Sequence, residues 1–333
     1  MSKSQQNPND AIIVKPSEGT VIGEYAYKNK TNLVNVIIAE GVTKIHEGAF
    51  SGCTSLESIV IPDSVTEIGA LAFQCCTALK SIVIPDSVTA IGRGAFIQCT
   101  KLKTIILSKN ITEISMMMFY GCKSLKSIVI PTGVKTILRH SFQECTELAN
   151  VVIPDSVMEI RPCAFFNCTN LENVTIPDSV KAIGDLAFFG CRKLNKMIIV
   201  DSTLICWPQA SGDIVVPEAI TRIEGGAFGG CETLTNVHLP NNIKEIASST
   251  FKGCTHLKSV NIPEGVKTID IEAFAGCKSL TNLDIPDSVS KIGPGAFYGC
   301  TGLRNDVAAT ISQISHDSFE NVNELVGNSQ HIL

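Results

Sequence analysis

Cysteine is the residue type in this chain whose number and spacing could do chemistry. Fourteen cysteines occur in 333 residues, and eleven of them recur at one position of a repeated pattern. Thiols in such numbers could form disulfides, hold a metal ion or act as nucleophiles. We call these eleven residues the cysteine column: Cys53, Cys76, Cys99, Cys122, Cys145, Cys168, Cys191, Cys231, Cys254, Cys277 and Cys300.

The pattern favours none of these three chemistries. The column is odd in number, and no Cys-x-x-Cys or Cys/His pair with zinc spacing occurs. Stacked strands lie about 4.8 Å apart, so distance alone would allow successive cysteines to be oxidised. Free cysteine usually behaves as a small buried hydrophobe, and we therefore predict a reduced, buried column. Cys75, Cys163 and Cys206 fall outside the column and are the predicted reactive thiols.

Histidine and glycine patterns give no catalytic site either. The six histidines fall at unrelated positions of the repeat, so the pattern brings no two of them together. No phosphate loop, dinucleotide fingerprint or nucleophile elbow is present. We predict a protein that is not an enzyme and that has no cofactor, no metal and no catalytic residues. The histidines are His46, His140, His238, His256, His316 and His331.

A phenylalanine repeat positions the cysteines. Each cysteine of the column follows a phenylalanine by three residues, and these phenylalanines stand 23 residues apart from Phe50 to Phe188 and again from Phe228 to Phe297. A unit of this length cannot bury its apolar face alone and must stack on its neighbours. The chain is therefore predicted to be a solenoid, which closes weakly at Phe319.

Residues 56–76 show how one coil would be built. The alternation around Ile59 and Ile61 predicts a strand with one inward face, and Pro62 ends that strand because it has no amide hydrogen. The Ala-Phe-x-x-Cys segment predicts a short helix or 3₁₀ turn. The predicted fold is an α/β repeat solenoid. It is a curved array with a parallel β-sheet on the concave face and with short strands, turns and short helices on the convex side.

The run I-P-D-S-V-x-x-I-G-x-x-A-F-x-x-C-x-x-L resembles the BspA-type leucine-rich repeat family. It is almost unaltered at 61–79, 84–102 and 176–194, and the resemblance covers about residues 11–322. The resemblance implies a curved solenoid with a parallel sheet on one face. It also implies a class of bacterial and protozoan proteins, many of which are surface-exposed adhesion or host-interaction proteins.

The repeat divides the chain into three parts. Residues 1–10 are a polar N-terminal segment, 11–322 a single leucine-rich-repeat solenoid of about thirteen 23-residue coils, and 323–333 a C-terminal tail. Degenerate capping coils are predicted at both ends. An irregular short coil is predicted at about 197–219. There Trp207 either packs on the body or belongs to a bump or hinge that positions a partner.

One outward strand position predicts a binding surface. A contiguous apolar strip bordered by like charges is unusual for a surface that faces only water. We predict that an acidic or extended protein segment binds there, with Trp207 as a further contact. The competing interpretation is that strands favour β-branched residues and that lysines keep the sheet soluble. The predicted patch is Lys80, Lys103, Lys126, Val83, Ile106 and Val129; the outward position holds Ile37, Val60, Val83, Ile106, Val129, Val152, Thr175, Ile198, His238, Asn261 and Asp284.

Charge and hydropathy restrict the partners. A net charge of -5 without a basic stripe predicts no nucleic-acid binding, and no apolar stretch has membrane-spanning length. Residues 1–10 lack the features of a secretory signal, so a cytoplasmic location is expected, with the cell surface by unconventional export as the alternative. We predict a non-enzymatic protein, a monomer or alternatively a homodimer, that binds another protein through its sheet face. The alternatives are a cell-surface or host-directed adhesin or antigen and a self-associating structural scaffold.

Overall fold

The computed structural model describes residues 11–15 and 19–321. These residues form two compact units, one that ends at Ile183 and one that begins at Gly184. The predicted N-terminal segment 1–10 and the tail 323–333 lie outside the described residues.

The first unit is a stack of coils, each of which contributes one strand to each of two parallel ladders. In a strand of the first ladder, side chains alternate between the core and the outside, as at Ile82 between Ser81 and Val83. The first ladder contains β1 (Ile12–Val14), β3 (Asn35–Ile38), β5 (Ser58–Val60), β7 (Ser81–Val83), β9 (Thr104–Ile106), β11 (Ser127–Val129), β13 (Asn150–Val152) and β15 (Asn173–Thr175). The second contains β2 (Val21–Ile22), β4 (Lys44–Ile45), β6 (Glu67–Ile68), β8 (Ala90–Ile91), β10 (Glu113–Ile114), β12 (Thr136–Ile137), β14 (Glu159–Ile160) and β16 (Ala182–Ile183).

The second unit begins with a hairpin and then continues as parallel coils. Its strands are β17 (Ile198–Val200), β18 (Thr203–Cys206), β19 (Gly212–Val215), β20 (Arg222–Ile223), β21 (Leu234–His238), β22 (Glu245–Ile246), β23 (Ser259–Asn261), β24 (Thr268–Ile269), β25 (Asn282–Leu283) and β26 (Lys291–Ile292). A helix, α1 (Asn305–Ile314), and a 3₁₀ helix (His316–Phe319) complete it. The predicted repeat solenoid with parallel strands is thereby confirmed.

Stacked phenylalanine rings form the centre of the core in both units. Neighbouring rings lie 5.1 to 5.7 Å apart in the first unit, where Tyr27 continues the stack before Phe50. The cysteine column lies beside them, and most of its thiols donate to the carbonyl oxygen of a phenylalanine 26 residues earlier, as from Cys99 to Phe73 at 3.1 Å. The cysteine is thus a small residue that fits the core and also satisfies a buried carbonyl group.

The polar residues and glycines that recur in the repeat also have structural roles. The serine after Pro-Asp donates its Oγ hydrogen to a valine carbonyl of the preceding coil, as from Ser87 to Val65 at 2.7 Å. Glycine after the inward isoleucine permits close approach, because a Cβ at Gly92 would lie 2.3 Å from the backbone nitrogen of Ala70. The I-P-D-S-V-x-x-I-G motif therefore holds one coil against the next.

The Ala-Phe-x-x-Cys segment, predicted to be a short helix or a 3₁₀ turn, does not form an α-helix. Alternate backbone N–H groups, of Leu71, Phe73 and Cys75, donate to carbonyl groups of the next coil at 2.7 to 2.9 Å. These N–H groups therefore cannot donate to carbonyl groups four residues earlier in the same segment, as an α-helix would require. The segment is instead a run of turns whose hydrogen bonds join residues three apart, such as the bond from Cys76 N–H to the Phe73 carbonyl. Leu71 and Cys75 adopt φ of 55° and 56° to achieve this.

The C-terminal cap differs from an ordinary coil because α1 takes the place of the expected strand. Val307 and Ile311 are four residues apart on one face of this helix, and both are buried. Phe319 ends the phenylalanine column at 6.1 Å from Phe297, with the ring tilted by 40°. The predicted degenerate closure is therefore helical.

The irregular region of the second unit consists of a hairpin followed by a shortened coil. Strands β17 and β18 form an antiparallel hairpin around Asp201 and Ser202, and β19 begins a shortened coil that pairs in parallel with β21. Both turn residues have positive φ. The outward orientation predicted for Ile198 is wrong: Ile198 is buried and Ile199 is exposed, because the hairpin shifts the strand register.

Candidate functional site

A continuous row of exposed aliphatic side chains follows the first ladder of the first unit. Parallel pairing places Ile13 beside Ile37 and Val60, Val83 beside Ile106, and Val129 beside Val152. Their exposed fractions run from 38% at Ile37 to 83% at Val129. We call this row the aliphatic stripe: Ile13, Ile37, Val60, Val83, Ile106, Val129 and Val152.

Ile13 is the member of the stripe that the sequence prediction omitted. It lies in the first strand, Ile12–Val14, and it is 61% exposed. The same register that identified Ile37 would have identified it, 24 residues earlier. Beyond Val152, the outward position holds Thr175, so the stripe ends within the first unit.

Three lysines, the lysine column, run alongside the stripe. The N–H of Lys103 donates to the carbonyl oxygen of Lys80 at 2.9 Å, which places these residues on successive coils. Lys126 follows at the same repeat position, and all three side chains are exposed. The predicted patch residues Lys80, Lys103, Lys126, Val83, Ile106 and Val129 are thus brought together on the outside of three neighbouring strands.

The charges of the lysine column are unequally paired. Lys80 Nζ lies 2.6 Å from Glu57 Oε2, and this contact lowers the pKa of the Glu57 carboxyl group. Within the described residues, Lys103 and Lys126 have no ion pair. Two positive charges of the column are therefore available to a ligand.

Trp207 occupies a position in the core stack of the second unit. Its N–H donates to the Ala227 carbonyl, as Phe73 does to Ala95, and its carbonyl accepts from the Cys231 thiol at 3.3 Å. Its ring lies 6.1 Å from Phe228, and the side chain is half-buried. The tryptophan thus takes the place of a phenylalanine in the shortened coil, and its predicted contact with a partner stays a prediction.

A cavity of about 330 Å³ lies in the second unit near Trp207. Its lining includes buried Phe188, Cys206 and Cys231 and the polar residues Gln209 and Thr233. At its rim, the Arg192 guanidinium lies 3.4 Å from the Glu232 carboxylate. The cavity therefore has a mixed polar and apolar lining, in which these two charges are already paired.

One buried carboxyl group, Glu224, occurs where most other coils have glycine or a small residue. It is 5% exposed, its Oε2 lies 3.2 Å from the Arg222 guanidinium, and it hydrogen-bonds to the side chain of Asp185. Burial and that hydrogen bond raise its pKa to about 7. The sequence analysis did not identify Glu224, although a charged residue in place of the glycine that follows the inward isoleucine was a signal.

None of the fourteen cysteines forms a disulfide bond, and the surroundings of each thiol decide its reactivity. Burial raises the pKa of column members, to about 12 at Cys122. Cys206 was predicted to be reactive, which is wrong: it is buried in the hairpin, and burial raises its pKa as well. Cys75 and Cys163 are half-buried.

We expect two of the fourteen thiols to react rapidly with Ellman's reagent in the native protein, because only Cys75 and Cys163 are not buried. All fourteen should react in guanidinium chloride. Cys75→Ser should remove one rapid equivalent and Cys206→Ser none. A rapid equivalent lost in the Cys206 variant would contradict the placement of that side chain.

Two further features are absent from the residues that the structure describes. In the described part of the chain, no three histidine, cysteine, aspartate or glutamate side chains are grouped so that they could hold a metal ion. The helices of that part are too short or too polar to cross a membrane.

A family model for the BspA type leucine rich repeat region matches residues 20–149, 135–211 and 206–326, in six copies. The chain belongs to the BspA-type leucine-rich repeat family. A comparison with curated proteins gives no match. Members of this family are repeat scaffolds suited to protein interaction and are generally not enzymes.

Solved structures of three bacterial proteins are similar to this BspA-type protein. A leucine-rich repeat protein from Bacteroides ovatus has 30% identity and a TM-score of 0.61, with 93% of this chain and 82% of that one covered. A leucine rich cell surface protein from Faecalibacterium prausnitzii has 33% identity and a TM-score of 0.61, over 79% and 82%. A leucine-rich repeat protein from Eubacterium ventriosum has 27% identity and a TM-score of 0.54, over 87% and 82%.

Proposed function

We propose that this BspA-type protein is a non-enzymatic interaction module that binds another protein through the outward face of its first strand ladder. The aliphatic stripe is the observation that carries the proposal. It runs over seven strands, and each member leaves at least 38% of its surface in solvent. Contiguous apolar surface of this kind typically marks an interaction site.

The regular backbone makes this face suitable for recognition. Each exposed residue of the stripe is flanked in its strand by a buried residue, as Val83 is by Ile82, so packing of the core fixes its position. A partner would meet side chains that need little ordering on binding, which reduces the entropic cost of association. Repeat scaffolds also vary their outward residues without changing the buried framework.

Site-specific photo-crosslinking tests the proposal. We expect a photoreactive amino acid at Val129 to form an adduct with another protein in extracts, and the same residue at Met158 to form none. Met158 is a matched control, because it is 58% exposed and apolar but lies outside the stripe. Unlabelled wild-type protein should compete for the adduct, and a Val129→Asp variant should not.

The pattern of adducts separates this proposal from its competitors. Equal adducts at both positions, or none at Val129, would contradict binding through the stripe. An adduct between two copies of the chain would instead support the self-associating scaffold or homodimer. In that case Ile106→Glu should convert the homodimer to a monomer in light scattering.

A second candidate function is that of a cell-surface or host-directed adhesin. The Faecalibacterium prausnitzii protein with 33% identity is described as a cell surface protein, and this relative favours the candidate. Protease treatment of intact cells distinguishes it from a cytoplasmic module. Loss of the protein from unlysed cells supports surface display, whereas survival until lysis supports the cytoplasm.

A further inference from the structure

Positive charge is concentrated around the three strands that carry the lysine column. Residues 80–126 contain seven basic and two acidic side chains, a net charge of +5 in a chain whose total is -5. Lys101 and Lys123 contribute to this excess from the turns that precede β9 and β11, and both are exposed. Lys101 also lies close enough to Glu57 to lower the pKa of that carboxyl group. We call Lys80, Lys101, Lys103, Lys123 and Lys126 the basic band.

Acidic residues bound the basic band in sequence on both sides. Glu57 precedes it and pairs with Lys80 at 2.6 Å. Glu147 follows it, and its N–H donates to the Lys123 carbonyl from the next coil. In the segments that lead into the strands of the first ladder, the positive charge is therefore limited to about three coils, those that carry Val83, Ile106 and Val129 of the aliphatic stripe.

A row of hydroxyl groups lies on the same three strands. Ser81, Thr104 and Ser127 are exposed, and among the described residues their hydroxyl groups have no hydrogen-bond partner. In the flanking coils the equivalent side chains bond to each other, as Ser58 does to Asn35 at 2.7 Å. Each coil of the band thus presents an exposed lysine just before its strand, then an unpaired hydroxyl group and, two residues further on, an exposed aliphatic side chain.

Two other occupants fit this surface less well. A stable dimer needs about 800 Å² buried on each partner, and a stripe one side chain wide favours a single extended chain instead. A uniform polyanion would satisfy the lysines but would leave the aliphatic side chains exposed or covered by polar groups. The adjoining rows call for a ligand with acidic and apolar side chains on different edges.

We propose that the basic band and the stripe beside it bind an extended protein segment in which acidic and aliphatic side chains alternate. This inference rests on the proposed function and adds the chemistry of the partner. The acidic side chains pair with Lys103 and Lys126, and the aliphatic side chains cover Val83, Ile106 and Val129.

The spacing of the coils suggests a suitable probe. Three successive lysines of the column span two coil steps, about 9.6 Å at about 4.8 Å per step. A polyproline II chain advances about 9.3 Å in three residues, so acidic residues at i and i+3 would lie two coil steps apart. An acidic residue over Lys126 would then have its neighbour over Lys80, one coil step from the unpaired Lys103. The probe is a fluorescein-labelled peptide of four Glu-Val-Pro repeats. Its control peptide is the same sequence with glutamine for glutamate.

Fluorescence anisotropy of this probe at low and high salt tests the inference. Lys103→Glu combined with Lys126→Glu should weaken binding about ten-fold or more, and Ile106→Ser about three-fold or more. The matched control is Lys258→Glu combined with Lys267→Glu, two exposed lysines of the second unit, and should change binding less than about two-fold. Lys258 occupies the same repeat position as the column but precedes a strand that ends in Asn261. Circular dichroism should show that all variants fold alike.

Any result that differs from these expectations overturns the inference. Equal binding of the glutamine peptide shows that acidic side chains are not recognised. Binding that resists Ile106→Ser, together with equal competition by a sulfated oligosaccharide, identifies a polyanion site. No binding of the probe, with a competed Val129 crosslink, overturns the acidic partner but leaves the proposed function intact. Absence of both signals overturns the two together.

Discussion

Phe165→Ala is expected to lower the free energy of unfolding by about 3–5 kcal/mol, the usual cost of truncating a fully buried phenylalanine. Phe165 has no exposed surface, and its ring stacks on Phe142 at 5.1 Å. Truncation would remove buried apolar area and leave a cavity within the stack. Urea denaturation followed by circular dichroism measures the loss.

The loss should be large because the phenylalanine column joins successive coils. In a solenoid, a coil is stabilised chiefly by the interfaces with its neighbours, and one ring contributes to the interfaces on both of its sides. The backbone hydrogen bond from Phe142 N–H to the Ala164 carbonyl does not involve the ring and should remain. The expected loss is therefore one of packing.

Phe166→Ala is the matched control for this prediction. It removes the same side chain from the adjacent position, where the phenylalanine is only half-buried. It should cost clearly less, about 1–2 kcal/mol, in proportion to the smaller burial. Equal losses in the two variants would contradict the structural importance of the column.

The solenoid could be predicted from the sequence because its core residues are distributed regularly. Phe50 to Phe188 and Phe228 to Phe297 have the spacing that stacked coils require, and the inward isoleucines follow the same spacing. Both ends of the array were also foreseeable, since Tyr27 and Phe319 are weaker copies of the repeat. The burial and stacking of these residues confirm the predicted solenoid.

The local form of the turns could not be predicted from the same pattern. Side-chain spacing at Ala72, Phe73 and Cys76 fits a helical turn, but hydrogen bonds between coils decide the backbone. Leu71 adopts a φ of 55°, which is uncommon for a residue with a branched apolar side chain. Only the neighbouring coil, through the Arg93 carbonyl that accepts from Leu71 N–H, supplies the reason.

The candidate site was predictable in part. Strand alternation correctly placed Val83, Ile106 and Val129 on the outside, and it would have placed Ile13 there too. Only the structure could show that Lys80 pairs with Glu57 whereas Lys103 and Lys126 have no ion pair among the described residues. Trp207 illustrates the opposite case, since its neighbours in sequence gave no sign that it replaces a phenylalanine of the core.

Stability is expected to fall as the pH rises through neutrality, and Glu224 is the cause. Burial and the hydrogen bond to Asp185 raise the pKa of the Glu224 carboxyl group from 4.5 to about 7, against the opposing effect of Arg222. Between these two values the unfolded chain has lost its proton and the folded chain retains it. The folded state is therefore favoured at low pH, and this contribution is lost as the pH passes through about 7.

The change should be on the order of 3 kcal/mol at most, because each unit of pKa difference corresponds to about 1.4 kcal/mol. Measured by urea denaturation at a series of pH values, the wild-type free energy of unfolding should decrease between about pH 5 and 8. Glu224→Gln should flatten this part of the profile. Its amide group can still donate to Asp185 and accept from Arg222, but it cannot ionise.

Glu245→Gln provides the control, because Glu245 is a neighbouring exposed acid whose Oε1 lies 4.0 Å from the same Arg222 guanidinium. It should leave the slope of the wild-type profile nearly unchanged, since removing an exposed charge alters little. At pH 8 the Glu224→Gln protein should be more stable than the wild type, and at pH 5 the two should be similar. A glutamine variant with the wild-type slope would show that the pH dependence comes from another group and that Glu224 is ionised throughout.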